Sequence, residues 1–190
     1  NTALVLERIG DERAVPALLR AAGGSGSGAQ ASAAAAAKLG GSGSAVDAYL
    51  ALAVKYFHGD PQTLRNYDGT YTVWSQANGA LVGTDVPRFI YNYELAEQAC
   101  YDALAVDPAS AKARAMIAVN AFAELAAWNG LGSDVKGDES LAGTKAALDG
   151  ARALASSAGT ADLLAALGMA MHMGNGEAAA MICGTLADMG

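Results

Sequence analysis

The side chains able to do chemistry are few and scattered along the chain. Histidine occurs twice. His58 follows Tyr56-Phe57 and precedes Gly59-Asp60-Pro61, where a helix exit and its dipole favour it, and His172 lies inside an apolar helical run. Neither has a neighbouring serine, cysteine or carboxylate arranged as nucleophile, base and orienting group. Cys100 and Cys183 are too few for a disulfide framework and lack metal-ligand spacing, so they read as buried helix-face thiols or as a single bridge. Met169, Met171, Met173 and Met181 offer soft ligands beside His172, but i, i+2 spacing divides them between helix faces, and core packing is expected instead. In "NGLGSDVKGDES", residues 129–140, Asp134, Asp138 and Glu139 supply oxygens at a spacing that fits no EF-hand loop, so a solvated connection is expected. The "GGSGSG" run follows a helix rather than a strand and lacks the Lys-Ser/Thr of a phosphate loop. The expectation is a non-enzymatic chain with no catalytic residue, no metal site and no cofactor.

What such a chain does must then come from the elements it builds. Its 190 residues suffice for one substantial core or about five to six helical hairpins in a row. A net charge of -7 without any basic cluster argues against nucleic acid or an anionic membrane surface as partner. No uninterrupted apolar run of about twenty residues occurs, so no membrane span is expected in the chain. It begins at Asn1 in what reads as mid-repeat, which predicts a piece of a longer protein.

Two stretches repeat one phrase about thirty-one residues apart, the spacing at which stacked helix pairs recur. Leu6, Ile9 and Gly10 lead through Asp11-Glu12-Arg13 into Ala14-Val15-Pro16-Ala17-Leu18-Leu19, and Leu39-Gly40 lead through a polar spacer into Ala45-Val46-Asp47-Ala48-Tyr49-Leu50. Gly10 can end one helix at positive φ and Asp11 can cap the next, which carries Val15, Leu18 and Leu19 on one stripe with Pro16 in its first turn. The phrase resembles the HEAT-like repeats found in phycobilin lyases, closely over about the first fifteen residues and loosely over 31–58. Between Ala21 and Ala45 nearly everything is Ala, Gly or Ser. The Gly-Ser parts read as flexible linker, but "AQASAAAAAKLG" stands where the first helix of the second repeat belongs and has no large side chains to pack it. That run reads as a natural low-complexity loop, as an engineered linker, or as a segment in which small residues stand in for larger ones.

Residues 61–93 differ in kind. Eight of the twelve aromatic residues fall at 56–93, among them Tyr56, Phe57, Tyr67, Tyr71, Trp74, Phe89, Tyr91 and Tyr93, so this is where recognition would concentrate. "TYTVW" alternates, Asn78-Gly79 is a strong hairpin signal and "ALVGTDV" can return, which predicts Tyr71–Trp74 pairing with Leu81–Val86 and lying on the helices through Trp74. These aromatics form either a packed hinge or a recognition surface of Trp74, Tyr71, Phe89 and Tyr91.

From residue 94 to 190 the pattern is helical again. Ala96, Ala99, Ala103 and Leu104 share a face, Met116, Ile117, Val119 and Phe122 lie on the helix after Asp107-Pro108, and Leu164, Leu167, Gly168 and Met171 form a stripe further on. The turn Gly174-Asn175-Gly176 then leads to Met181, Ile182 and Leu186. "AEQACYDALAVDPASAKA" resembles the second helix and exit turn of a tetratricopeptide repeat, with Ala96, Ala103 and Pro108 at the expected offsets, although the preceding first helix is replaced by the hairpin. With "VPRFIYNYELAEQACYDAL", the mixture resembles uncharacterised repeat proteins of environmental bacteria, which implies no activity. The reading is an all-α chain: an α-solenoid, HEAT-like over 1–60, interrupted by an aromatic insertion with one β-hairpin over 61–93 and tetratricopeptide-like over 94–190. It predicts a protein-binding or assembly scaffold, with end-to-end self-assembly into a fibre, or a lyase or chaperone for a prosthetic group, as alternatives. If repeats are left uncapped, Leu4, Val5 and Leu6 at one end and Met181, Ile182 and Leu186 at the other should form apolar edges.

Overall fold

A computed structural model describes residues 2–66, 69–77 and 79–189, with Ala77 through its backbone alone. Asn1, Tyr67, Asp68, Asn78 and Gly190 lie outside the described residues, so the aromatic reading of Tyr67 and the asparagine of the Asn-Gly turn find no counterpart here. Helix makes up 68% of the chain, and the described residues contain one small antiparallel sheet of two strands, which is the expected mix.

The repeated phrase folds into two helix pairs. Helix α1 (Thr2–Ile9) ends at Gly10, whose φ of 73° is open to glycine at little cost. Asp11 accepts a bond from the Arg13 amide and holds its guanidinium in an ion pair, so it caps a short 3₁₀ turn, Glu12–Ala14, that feeds α2 (Val15–Ala22) with Pro16 in its first turn. After turns and bends at 23–28 come α3 (Ala29–Lys38) and α4 (Ala45–Phe57), the latter capped by Ser44 accepting from the Asp47 amide. Helix α1 packs on α3, and α2 packs on both α3 and α4. The Lys38 ammonium meets the Glu7 carboxylate at 2.5 Å across the first helices of the two pairs.

The alanine run is therefore a packed helix. Ala35 and Ala36 are fully buried with Ala3 and Leu18, flanked by Leu6, Leu19 and Leu39. Small side chains let the helix backbones approach, so burial is reached by proximity instead of by large residues filling the gap. Gly41, just past the end of α3, shows how close the approach to α2 is: a Cβ there would lie 2.7 Å from Val15 Cγ1.

Strand β1 (Thr72–Ala77) pairs with β2 (Ala80–Asp85), Thr72 opposite Asp85, Trp74 opposite Gly83 and Gln76 opposite Leu81, with Gly79 in the turn at φ 80°. The hairpin is where the alternation put it, but its attachment is reversed. Strand residues alternate between faces, so Val73 and Trp74 point opposite ways. Val73 is buried, 8% exposed, while Trp74 is 58% exposed. The strand that touches α5 (Tyr91–Val106) is β1, and Trp74 does not pin it down.

The second half gathers around α6 (Ala111–Gly130), which Ser110 caps. It packs against α5, α8 (Thr144–Ser156), α9 (Thr160–His172) and α10 (Gly176–Met189), and from Ala113 to Trp128 it is buried almost all round. Its side chains Met116, Val119 and Phe122 meet Phe57, Leu163 and Ile182 in the main core. The expected stripe on α9 is turned by one position: Leu163, Ala166 and Ala170 are buried, whereas Leu164 and Met171 are exposed. The polar connection 129–140 is not featureless, since it contains a single helical turn, α7 (Ser133–Lys136), before a 3₁₀ turn at Glu139–Leu141.

The two anticipated apolar edges come out unequal. Leu4 and Val5 on α1 are exposed as expected, but Ile182 is fully buried, with Met181 and Leu186 packed beside it. Those three residues close the core over α6 and do not form an outer edge.

Candidate functional site

The four aromatic residues singled out in the sequence are dealt to three places. Tyr71 and Tyr91 meet edge to face with centroids 5.4 Å apart, and the Arg88 guanidinium stands 6.0 Å from the Tyr71 ring. With Asn66 and Asn92 they line a hollow of about 350 Å³ at the base of the hairpin. Phe89 goes inward, stacked obliquely on Trp128 at 6.0 Å within a small core of Ile90, Leu125 and Leu148. Trp74 stands apart on the hairpin. A Cβ on Gly83 would lie 3.1 Å from Trp74 Cη2, so the indole lies across that glycine, on the same strand face as Leu81, which is 71% exposed. The hinge reading fits Phe89, Phe57 and Tyr93, the last two packed edge to face at 5.1 Å. The exposed position of Trp74 fits recognition.

A second constellation has no forerunner in the sequence reading. Glu94 and Glu97 lie three residues apart on α5, on neighbouring positions of one helix face, and Glu124 faces them from α6. One carboxylate oxygen from each lies within 4.8 Å of the other two. Glu124 is 3% exposed, and its Oε1 has no hydrogen-bond partner. Four residues earlier on α6, Asn120 is 0% exposed, and neither its side-chain nitrogen nor its oxygen has a partner. Each such orphan costs on the order of 1–3 kcal/mol in a protein interior. The Tyr101 hydroxyl donates to Glu97 at 3.1 Å.

Electrostatics in this cluster run one way. Burial pushes the Glu124 carboxyl up to about 9, and the negative charges of Glu94 and Glu97 push in the same direction. Glu94 is raised by burial and by Glu97, and Glu97 is raised by burial against the opposing bond from Tyr101. Without another ligand, Glu124 is therefore protonated at neutral pH. Glu97 and Tyr101 also line a mainly apolar cavity of about 480 Å³ between α6 and α8, walled by Ile117, Ala121, Leu154 and Ala155.

The remaining candidates are placed as follows. Met169, His172 and Met173 line one cavity of about 440 Å³ together with His58 and Met116, while Met171 points outward and Met181 packs on the core. The cysteines differ: Cys100 is buried, its thiol pushed up to about 12 by burial, and Cys183 is exposed, so the two are neither a bridge nor a matched pair of core thiols. Asp134, Asp138 and Glu139 are exposed, with Asp138 accepting from the Ser140 amide.

The carboxylate cluster left two signals in the sequence: the Glu-x-x-Glu pair at 94 and 97, and a Glu at 124 with an Asn at 120 in an otherwise apolar, alanine-rich helix. Comparison with family models, with curated proteins and with solved structures gives no match to this chain.

Proposed function

We propose that the protein is a non-catalytic interaction scaffold that uses its hairpin to hold an extended segment of a partner protein. The observation that carries this reading is the hairpin itself. Strand β2 pairs only with β1 among the described residues, so its outer row of amides and carbonyls is free to accept a third strand. Beside that edge stand the exposed Trp74 and Leu81. An indole held across a glycine is an ordered apolar anchor that loses little freedom on binding. The pairwise packing of α1 on α3 and of α2 on α4 supports a HEAT-like stack as the platform behind it. The exposed Leu4, Val5 and Ile9 on α1 favour self-association at that end as a second reading.

A random-peptide library of extended eight-residue segments, selected on the intact protein, tests the proposal. Selected peptides should bind the parent and lose about 30-fold in affinity to Trp74→Ala, the equivalent of about 2 kcal/mol for an interface anchor. The exposed position of Trp74 also predicts that this variant keeps its stability to within about 0.5 kcal/mol, whereas Trp128→Ala, at a buried site, loses about 3–5 kcal/mol in urea unfolding. Peptides that bind parent and Trp74→Ala equally would remove the hairpin from the function.

A further inference from the structure

We infer that Glu94, Glu97 and Glu124, with the side-chain oxygen of Asn120, form a binding site for one hard divalent cation, of the calcium, manganese or magnesium kind, between α5 and α6. This inference is independent of the hairpin reading. Three carboxylates with oxygens within 4.8 Å of one another, one of them buried, repel when charged; a proton on Glu124 relieves this in the metal-free protein, and a cation among the three would take its place. The donors are all oxygen, which selects hard cations over zinc or copper.

Asn120 is the second observation. It lies one helical turn before Glu124 and so on the same stripe of α6. The helices run antiparallel, because Glu94 and Glu97 meet Glu124 at one end while Tyr101 and Ile117 share a cavity wall further along. That register sets Asn120 opposite Glu97. Its amide is sealed from water with both ends unpaired. A metal ligand is the use that satisfies the amide oxygen. Oxygens on opposite sides of a calcium ion lie about 4.6–5.2 Å apart and adjacent ones lie closer. Carboxylate oxygens already within 4.8 Å of one another therefore fit around one ion without moving a helix. Glu97 also borders the cavity between α6 and α8, which gives the ion an entry path and leaves room for water at the remaining coordination positions.

The test uses the intact chain, stripped with EDTA, and calcium, manganese and magnesium chlorides one at a time, read by titration calorimetry and by thermal unfolding. One cation should bind with a stoichiometry near one and raise the melting temperature in a concentration-dependent way. Glu124→Gln, which keeps shape and removes charge, should weaken binding by more than the roughly 10–100-fold that losing a mere partner of a ligand costs. Glu97→Gln, at a half-buried position, should do the same and serves as the reading if Glu124→Gln does not fold. Asp134→Asn, at an exposed position on the short turn α7, should bind like the parent. Absence of binding by all three metals at millimolar concentration, or binding that survives both glutamine variants, would overturn the inference.

Discussion

Glu124 makes the stability of the metal-free protein depend on pH in an unusual direction. Its carboxyl titrates near 4.5 in an unfolded chain and near 9 in the fold. Between these values the unfolded state has released a proton that the native state still holds. Stability from this group is therefore full below about pH 4.5, falls as pH rises, and is spent above about 9. The steepest loss is about 1.4 kcal/mol per pH unit. Glu94, Glu97 and Tyr93 face the same group and share the upward direction. Urea unfolding between pH 6 and 8 should show the parent weakening, with Glu124→Gln distinctly flatter, since an amide has no proton to lose. Equal slopes for the two proteins would mean that water already reaches the carboxylate.

At the scale of elements, α3 makes the sharper claim. A helix that packs by alanine has no room to give, so Ala36→Leu should destabilise by about 1–3 kcal/mol through overpacking, measured by thermal unfolding, even though the change raises hydrophobicity. A neutral or stabilising result would show that α3 lies loosely on α1 and α2. The same helix shows what sequence patterns reveal and where they stop. Gly10 and Asp11 give away a helix boundary and the alternation around "TYTVW" gives away a strand, because each is a local rule about backbone geometry. The burial of Ala35 and Ala36 is not local, since alanine marks no face by itself and only the approach of neighbouring helices decides which alanines are inside. Trp74 failed for a related reason. Alternation says that Val73 and Trp74 lie on opposite faces but not which face meets the helices, and size suggested the wrong one. The carboxylate cluster was hidden more deeply. Glu94 and Glu97 look like the solvated face of an amphipathic helix until α6 is laid across them, and Glu124 and Asn120 stand out as polar in an alanine-rich helix whose burial on nearly every side leaves no stripe to say which neighbour they face.

For the molecule as a whole, the distribution of contacts predicts the distribution of motion. Helix α6 touches five other helices, whereas β2 is exposed along its entire length. Amide hydrogen exchange should be slowest from Ala113 to Trp128, near the global unfolding limit, and fastest in the hairpin and in the connection 129–140. If the hairpin amides exchange as slowly as those of α6, the two strands are tied down by more than Val73 and the contact of β1 with α5.

The position of α6 in the chain has a consequence for biosynthesis. From α3 to α5 each helix finds a partner already made as it leaves the ribosome, α3 on α1 and α2, α4 on α2, and α5 on α4. Helix α6 finds α5 and the edge of α4, and its other three covers, α8, α9 and α10, are translated afterwards. While those roughly sixty residues are synthesised, which at bacterial or eukaryotic rates takes several seconds, Val119 and Phe122 lack the cover of Leu163 and Ile182. Chaperones have that interval in which to bind the nascent helix.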